Sequence, residues 1–292
     1  MLFLGKQLKI GTRGSVLALW QASFVKDKLE NHGITSEIIK IKTTGDVIKD
    51  KPLYQFGGKG LFTKEIEKQL IDKNIDIAVH SLKDVTVFDL EDFDFLFLKR
   101  DSYKDVLVSH KGDLSNLPSG ASVGTTSLRR QFEIYSKRRD LNFVSLRGNL
   151  DTRLKKLERG EVDAIVVSKS GLLRLGIFNK SYMYDIDIVP SAGQGVVAVQ
   201  FLKNDEMREK LSFLEDEHTR MCVSAERQFV RELNASCNYP IGAYAYFQNN
   251  KYCMNVAYGV IDNIEKVIHF QVCSDSFEEA VDDCVKYVRG AI

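Results

Sequence analysis

Short apolar runs recur along this chain, and most lead into a stretch whose apolar positions return every three or four residues. Leu8 to Gly11 reads as a buried strand, and Ser15 to Asn31 as an amphipathic helix with Ser15 near its cap. Ile38 to Thr43 is a second strand. Residues 44–60 are charged, end in Gly57-Gly58-Lys59-Gly60 and read as a mobile loop. A helix from about Thr63 to Lys73 carries Glu65 and Glu67 in its first turn, and Ile75 to Val79 follows as a parallel-type strand. This β-α-β-α-β order predicts a doubly wound α/β unit.

A second such unit begins near Asp105. Its strands are Val106-Leu107-Val108, Val123, Phe143-Val144 and Ala164-Ile165-Val166-Val167, alternating with helices at roughly 127–138 and 150–159. An apolar strand resumes from Gly195 to Leu202, and a helix near Asp205. Two similar units joined by crossings near 99–104 and 190–196 predict a hinged clamp. The last stretch changes character. A helix from about Glu217 to Leu233 leads into antiparallel strands at Ile241 to Phe247, Tyr252 to Val260 and Lys266 to Cys273, closed by a helix from Ser276 to Arg289. The expected fold class is α/β, two doubly wound lobes plus a small C-terminal α+β domain. The first lobe takes 1–98 with 197–214, the second 104–190, and the last domain 217–292.

Composition adds exclusions. Of 292 residues, 44% are hydrophobic and 28% charged, as in an ordinary globular protein. Lys+Arg at 41 against Asp+Glu at 40 leaves a net charge of +1, without the basic excess that binding to long nucleic acid calls for. The apolar part of Met1-Leu2-Phe3-Leu4 is too short for a signal peptide, and no stretch approaches the ~20 apolar residues of a membrane span. A cytoplasmic protein with neither nucleic-acid nor membrane partner is expected. The five cysteines are odd in number and none stands at C-x-x-C spacing, so neither a disulfide framework nor a zinc site is expected. Cys222, Cys253, Cys273 and Cys284 fall in predicted helices and strands, where a cysteine is usually a small buried apolar side chain. Cys237 differs, standing in a loop before Pro240 and Gly242.

Candidate chemistry concentrates in four hydroxyl-rich, basic clusters, each after a predicted strand. They are Gly11-Thr12-Arg13-Gly14-Ser15, His80-Ser81-Leu82-Lys83-Asp84, Gly124-Thr125-Thr126-Ser127-Leu128-Arg129-Arg130 and Ser145-Leu146-Arg147-Gly148-Asn149-Leu150-Asp151-Thr152-Arg153. Strand C-termini and helix N-termini present backbone N–H groups where anions bind. No phosphate loop and no G-x-G-x-x-G is present, so several carboxylates suit these clusters better than a nucleotide. Singly, each has a plainer reading: Arg13 a solvated helix-start residue, Asp84 a turn cap, His80 a structural hydrogen-bonding residue.

Taken in order, these segments resemble the porphobilinogen deaminase (hydroxymethylbilane synthase) family. The resemblance runs through Thr12-Arg13-x-Ser15, Gly57-Gly58-Lys59-Gly60-Leu61-Phe62, His80-Ser81-Leu82-Lys83-Asp84-Val85, Ser127-Leu128-Arg129-Arg130-Gln131 and Ser145-Leu146-Arg147-Gly148-Asn149. It continues through Arg174-Leu175-Gly176, Gly193-Gln194-Gly195 and Ala225-Glu226-Arg227 to Cys237-x-x-Pro240-Ile241-Gly242, and so spans most of the chain. It implies a monomeric transferase that condenses four porphobilinogen molecules into a linear tetrapyrrole with loss of ammonia. Its lobes would be periplasmic-binding-protein-like. It also implies a dipyrromethane cofactor held by a thioether to Cys237, and no metal.

By the same resemblance Asp84 is the catalytic carboxylate, beside a pyrrole N–H where positive charge develops. Lys83, Ser127, Arg129, Arg130 and Arg174 would hold or line the cofactor's carboxylates; Arg13, Ser15, Lys59, Arg147 and Arg153 would hold substrate. Replacing Arg129 and Arg130 by Leu is expected to strip the cofactor and leave folding intact. Four positions depart from the family pattern: Gln55 for a lysine, Thr86 for a proline, Ala235-Ser236 for glycines, and a polar Ser168-Lys169-Ser170, where Lys169 could supply the cation Gln55 lacks. Two rivals remain: a two-lobed solute-binding protein, which would not need Cys237, and a polyanion-binding regulator.

Overall fold

A computed structural model describes residues 7–44, 63–88, 91–235, 239–261 and 263–291. The chain forms two compact units: one gathers the described residues up to Arg100 with Val196–Arg220, the other holds Asp101–Gly195 and the chain from Met221 onward.

The first unit is built on β1 (Leu8–Arg13), β2 (Ser36–Ile41), β3 (Ile77–Ser81), β4 (Phe93–Phe97) and β10 (Val197–Leu202), in the order β2-β1-β3-β10-β4. Strands β1, β2 and β3 run parallel, while β10 is antiparallel to β3 and β4. Helices α1 (Val16–Asn31) and α2 (Lys64–Ile71) supply the crossovers. Leu8, Ile10, Val25, Leu29, Ile77, Val79 and Phe201, each at most 2% exposed, close its core. Strand β2 begins two residues before the expected Ile38, and the edge strand β4 had no counterpart in the sequence reading.

The second unit repeats this winding. Its first sheet contains β5 (Asp105–Val108), β6 (Ser122–Gly124), β7 (Asn142–Val144), β8 (Ala164–Ser168) and β9 (Met183–Ile186), in the order β7-β6-β8-β5-β9. Helices α3 (Leu128–Lys137), α4 (Leu150–Glu158) and α5 (Lys169–Arg174) follow β6, β7 and β8. The unbroken apolar run of β8 has a direct cause. Ile165 and Val167 pack into one core on one face, and Ala164 and Val166 into another on the opposite face. The expected doubly wound α/β lobes are thus present in both units.

Helix α6 (Asp205–Leu211) belongs to the first unit, and α7 (Glu217–Glu232) spans the boundary at Arg220. The rest of the α+β part lies in the second unit: the antiparallel meander β11 (Ile241–Gln248), β12 (Lys251–Val260) and β13 (Asn263–Ser274), closed by α8 (Phe277–Ala291). The β11–β12 turn uses Asn249 and Asn250 at φ +49 and +60, the left-handed pair that a two-residue hairpin demands.

One expectation is overturned here. Cys253 stands directly opposite Cys273 in the β12–β13 register, with Cα atoms 4.0 Å apart, and the two form a disulfide. Spacing along the chain carried no sign of it, because the hairpin register, not C-x-x-C proximity, brings the sulfurs together. Cys222 and Cys284 are buried and take part in no disulfide.

The two crossing segments are laced together inside the second unit. Asp101 N–H donates to the Gly195 carbonyl at 3.0 Å, and the Gln194 amide donates to the Tyr103 carbonyl at 2.7 Å. Gly195 has φ +87, and a Cβ there would lie 2.6 Å from the Ser102 carbonyl oxygen, so only glycine lets the crossings approach this closely. Gly193 N–H is held by the fully buried Glu226, whose other oxygen accepts from Ala245 N–H on β11.

Candidate active site

In the first unit the basic and hydroxyl residues collect where parallel β1 and β3 end. Arg13 closes β1, and Ser15 caps α1 by accepting from Ala18 N–H at 3.3 Å. β3 runs into a single 3-10 turn, Leu82–Asp84, that carries half-buried Lys83 and exposed Asp84. The turn is tied from behind. Gln21 of α1 donates to Ser81 Oγ at 2.9 Å, and buried His80 Nε2 meets Gln200 Oε1 at 2.8 Å. That acceptor fixes the proton on Nε2. Burial lowers the His80 pKa to about 4, against smaller opposing effects of Gln200 and Asp84, with Arg13 adding to the depression. His80 is therefore a neutral supporting residue, as its sequence context suggests. Thr86 does not leave the turn loose: its Oγ1 accepts from Phe88 N–H at 3.2 Å, doing part of the work of the missing proline.

In the second unit the donors collect at the C-terminal ends of the parallel strands β6 and β7. Ser127 caps α3, accepting from Arg130 N–H at 3.5 Å, and its own N–H is held by Thr125 Oγ1 at 3.2 Å. Arg147 follows β7 and Arg153 lies in the first turn of α4; both are half-buried. Between them Gly148 sits at φ +120, with the Thr152 side chain 2.8 Å from where a Cβ would be.

Arg129 and Arg130 are 2% and 7% exposed, and the fully buried Asp105 lies between them. Arg129 Nη2 reaches Asp105 Oδ2 at 2.7 Å, its Nη1 the Val189 carbonyl at 2.6 Å and its Nε Ser191 Oγ at 3.1 Å. Arg130 brings Nε and Nη2 to Asp105 Oδ1 at 3.0 and 2.6 Å and Nη1 to the Val166 carbonyl at 2.9 Å. This bears against the expectation that both arginines can become Leu without harm to folding, since Asp105, a buried carboxylate, would lose both guanidinium partners. Sequence reasoning passed over Asp105. A lone acid opening the buried run Val106-Leu107-Val108 was the available signal, because buried charges are paired.

Two further basic residues of the sequence analysis have protein partners. Arg174 is tied to the crossings: Nη2 donates to the Gly195 carbonyl at 2.7 Å and Nε lies 3.6 Å from Asp101 Oδ2. Lys169 pairs with Asp185 of β9 at 2.7 Å and lies over the Phe178 ring. Gln55, Lys59, Ser236 and Cys237 lie outside the described residues. Among the other cysteines none is a ready nucleophile: burial pushes the Cys284 thiol up to about 12, Cys222 is buried, and Cys253 and Cys273 are bonded to each other. Among the described residues no group of three or more His, Cys, Asp or Glu side chains could hold a metal ion, and no helix is long and apolar enough to cross a membrane.

Residues 8–210 match the family model described as "Porphobilinogen deaminase, dipyromethane cofactor binding domain", and residues 220–289 match "Porphobilinogen deaminase, C-terminal domain". Relatives named porphobilinogen deaminase are similar over nearly the whole length. The Helicobacter hepaticus protein is 44% identical over 283 residues, covering 95% of this chain and 86% of its own. That of Helicobacter acinonychis is 46% identical over 269 residues, with 90% and 87% covered, and that of Campylobacter fetus 41% over 261, with 88% and 86%.

Proposed function

This chain belongs to the porphobilinogen deaminase family, and on that premise we propose how its residues divide the condensation of four porphobilinogen molecules into a linear tetrapyrrole. Each pyrrole ring carries an acetate and a propionate, so the growing product accumulates carboxylates. The donor set fits such a ligand and the family's dipyrromethane cofactor: N–H and O–H donors and fixed cations gather at strand ends, where helix N-termini add to their field.

Ser127, Arg129, Arg130 and Lys83 would hold the cofactor's carboxylates, with Cys237 as the thioether position and Arg174 bracing the lining. Arg13, Ser15, Arg147, Arg153 and Lys59 would hold substrate. When bound, the cofactor supplies the carbon nucleophile on which the chain is built. Asp84, exposed at the turn after β3, would oppose the positive charge that develops on the substrate pyrrole as ammonia departs, and would take and return the proton of its N–H. The Asp105 carboxylate pairs with both buried guanidinium groups and so holds their forks in place. A cytoplasmic monomer without nucleic-acid partner completes the reading.

The ordered match of residues 8–210 and 220–289 to the two family models carries this proposal. Intact mass of the purified protein tests it. We expect a covalent dipyrromethane increment that Cys237→Ser abolishes, and further pyrrole-sized steps on addition of porphobilinogen. An adduct mapped to Cys222, Cys253, Cys273 or Cys284 would overturn the assignment.

A further inference from the structure

The two backbone groups of Val189, N–H and carbonyl, are both held by one helix. Arg129 and Glu133 stand one turn apart on the same face of α3. Arg129 donates from Nη1 to the Val189 carbonyl at 2.6 Å, while Glu133 Oε1 accepts from the Val189 N–H at 3.2 Å. Glu133 is 2% exposed, and its second oxygen lies 3.1 Å from Nε2 of His269 on β13. The gripped segment continues to Ser191, whose hydroxyl receives Arg129 Nε, and to Pro190, whose carbonyl accepts from Ala243 N–H on β11 at 2.9 Å. A Cβ at Gly242 would lie 2.8 Å from the Val189 oxygen, so β11 presses on this same carbonyl. Two of the three acceptors that orient the Arg129 fork therefore sit on a segment whose own position depends on Glu133.

We propose that Glu133, braced by His269, is a positioning residue for Arg129: by anchoring the Val189 N–H it fixes the residue whose carbonyl, with the Ser191 hydroxyl two residues on, aims the guanidinium. The inference rests on the reading that Arg129 holds a cofactor carboxylate. A misaimed fork slows capture of that carboxylate, since displacement by about 1 Å of a positioning group is worth up to about 100-fold.

The test is cofactor loading in the full-length chain. Apo protein, prepared without access to porphobilinogen, is mixed with it well below each variant's melting temperature, and loading is followed by intact mass. Glu133→Ala is expected to load on the order of 10–100-fold more slowly. Glu133→Gln, whose amide oxygen still accepts from Val189 N–H, is expected to load at close to the parent rate. In apo protein the 15N resonance of Arg129 Nε–H should move in Glu133→Ala and hold in Glu133→Gln. Parent-rate loading in Glu133→Ala, or Glu133→Gln as slow as Glu133→Ala, would overturn the proposal. If Glu133→Ala does not fold, His269→Ala decides: slowed loading with a shifted Arg129 signal supports the brace, and unchanged values refute it. Arg129→Lys separates the two levels, because it keeps the charge opposite Asp105 and loses the fork. Should Arg129→Lys load normally, the cofactor role of Arg129 itself fails; should it load poorly while Glu133→Ala loads normally, only the positioning role does.

Discussion

Charge at single residues sets the sharpest expectations. Asp84→Asn keeps size and much of the hydrogen bonding but removes the negative charge opposite the developing pyrrole cation. A rate loss of roughly 10²–10⁴-fold with the cofactor mass retained is expected, checked by steady-state assay beside intact mass. Near-parent turnover would place the proton transfer elsewhere. The Asp105–Arg129–Arg130 triad has to be judged by stability as well as activity. Arg129→Leu with Arg130→Leu takes both guanidinium partners from a fully buried carboxylate and should lower unfolding stability by about 3–5 kcal/mol in urea titration. Adding Asp105→Leu removes that carboxylate and should recover most of that loss, because a buried ion triad replaced by apolar side chains is often neutral or stabilising. Cofactor occupancy should stay lost in the triple variant. Recovery of stability without recovery of occupancy separates the arginines' structural role from their ligand role.

At the scale of elements, the crossing segments show what a single Cβ does. Gly195→Ala would combine a left-handed backbone with a contact at 2.6 Å to a backbone oxygen that cannot move aside, and about 2–3 kcal/mol of destabilisation is expected from denaturant unfolding. Elements of this kind were unevenly legible in the sequence. Strand β8 and helices α1, α3, α7 and α8 were readable because apolar period and caps agree: Ser15 and Ser127 are serines before helical patterns, and both cap. Edge strands β4 and β9 and the six-residue α5 were missed, being short and charged or glycine-containing, with pairing partners far along the chain. Most basic site residues were visible as clusters after strands. Their partners Asp105, Glu133 and Gln200 were not, since each makes its contact across 24 or more residues and no local pattern announces it. The Cys253–Cys273 pair was hidden for the same reason, its proximity being a property of β-register.

For the molecule as a whole, two histidines act on stability in opposite directions of pH, one in each unit. His80 is buried, and its pKa falls from 6.5 to about 4 on folding. A group depressed in the folded state contributes stability that is present above 6.5 and is lost as pH falls towards 4, in all roughly 3 kcal/mol at about 1.4 kcal/mol per pH unit. Glu67, whose carboxyl is raised by burial and which receives the Gln200 amide at 3.4 Å, works the other way at acid pH, so Glu67→Gln isolates the histidine. His269 is raised instead, chiefly by its hydrogen bond to Glu133 and secondarily by that carboxylate's charge, against burial and the repulsion of Lys137. It lines a cavity together with Asp187, Lys137, Tyr103, Tyr244 and Tyr246, and its side chain is 45% exposed, so salt and solvent screen its contribution. Its stabilisation is complete below 6.5 and is lost as pH rises through its folded pKa. Unfolding followed from pH 4 to 9 should therefore give a maximum near neutrality. In a Glu67→Gln background, His80→Gln should flatten the acid limb and leave the alkaline one; His269→Asn should flatten the alkaline limb and leave the acid one. Depressed carboxyls such as Asp163 and Asp216 act only as pH falls through about 4 and below, so the window that decides is pH 6.5 to 5. A fall there as steep in His80→Gln as in the parent background would mean that the buried imidazole already accepts its proton at an ordinary pH, and the neutral His80–Gln200 support behind Asp84 would have to be abandoned.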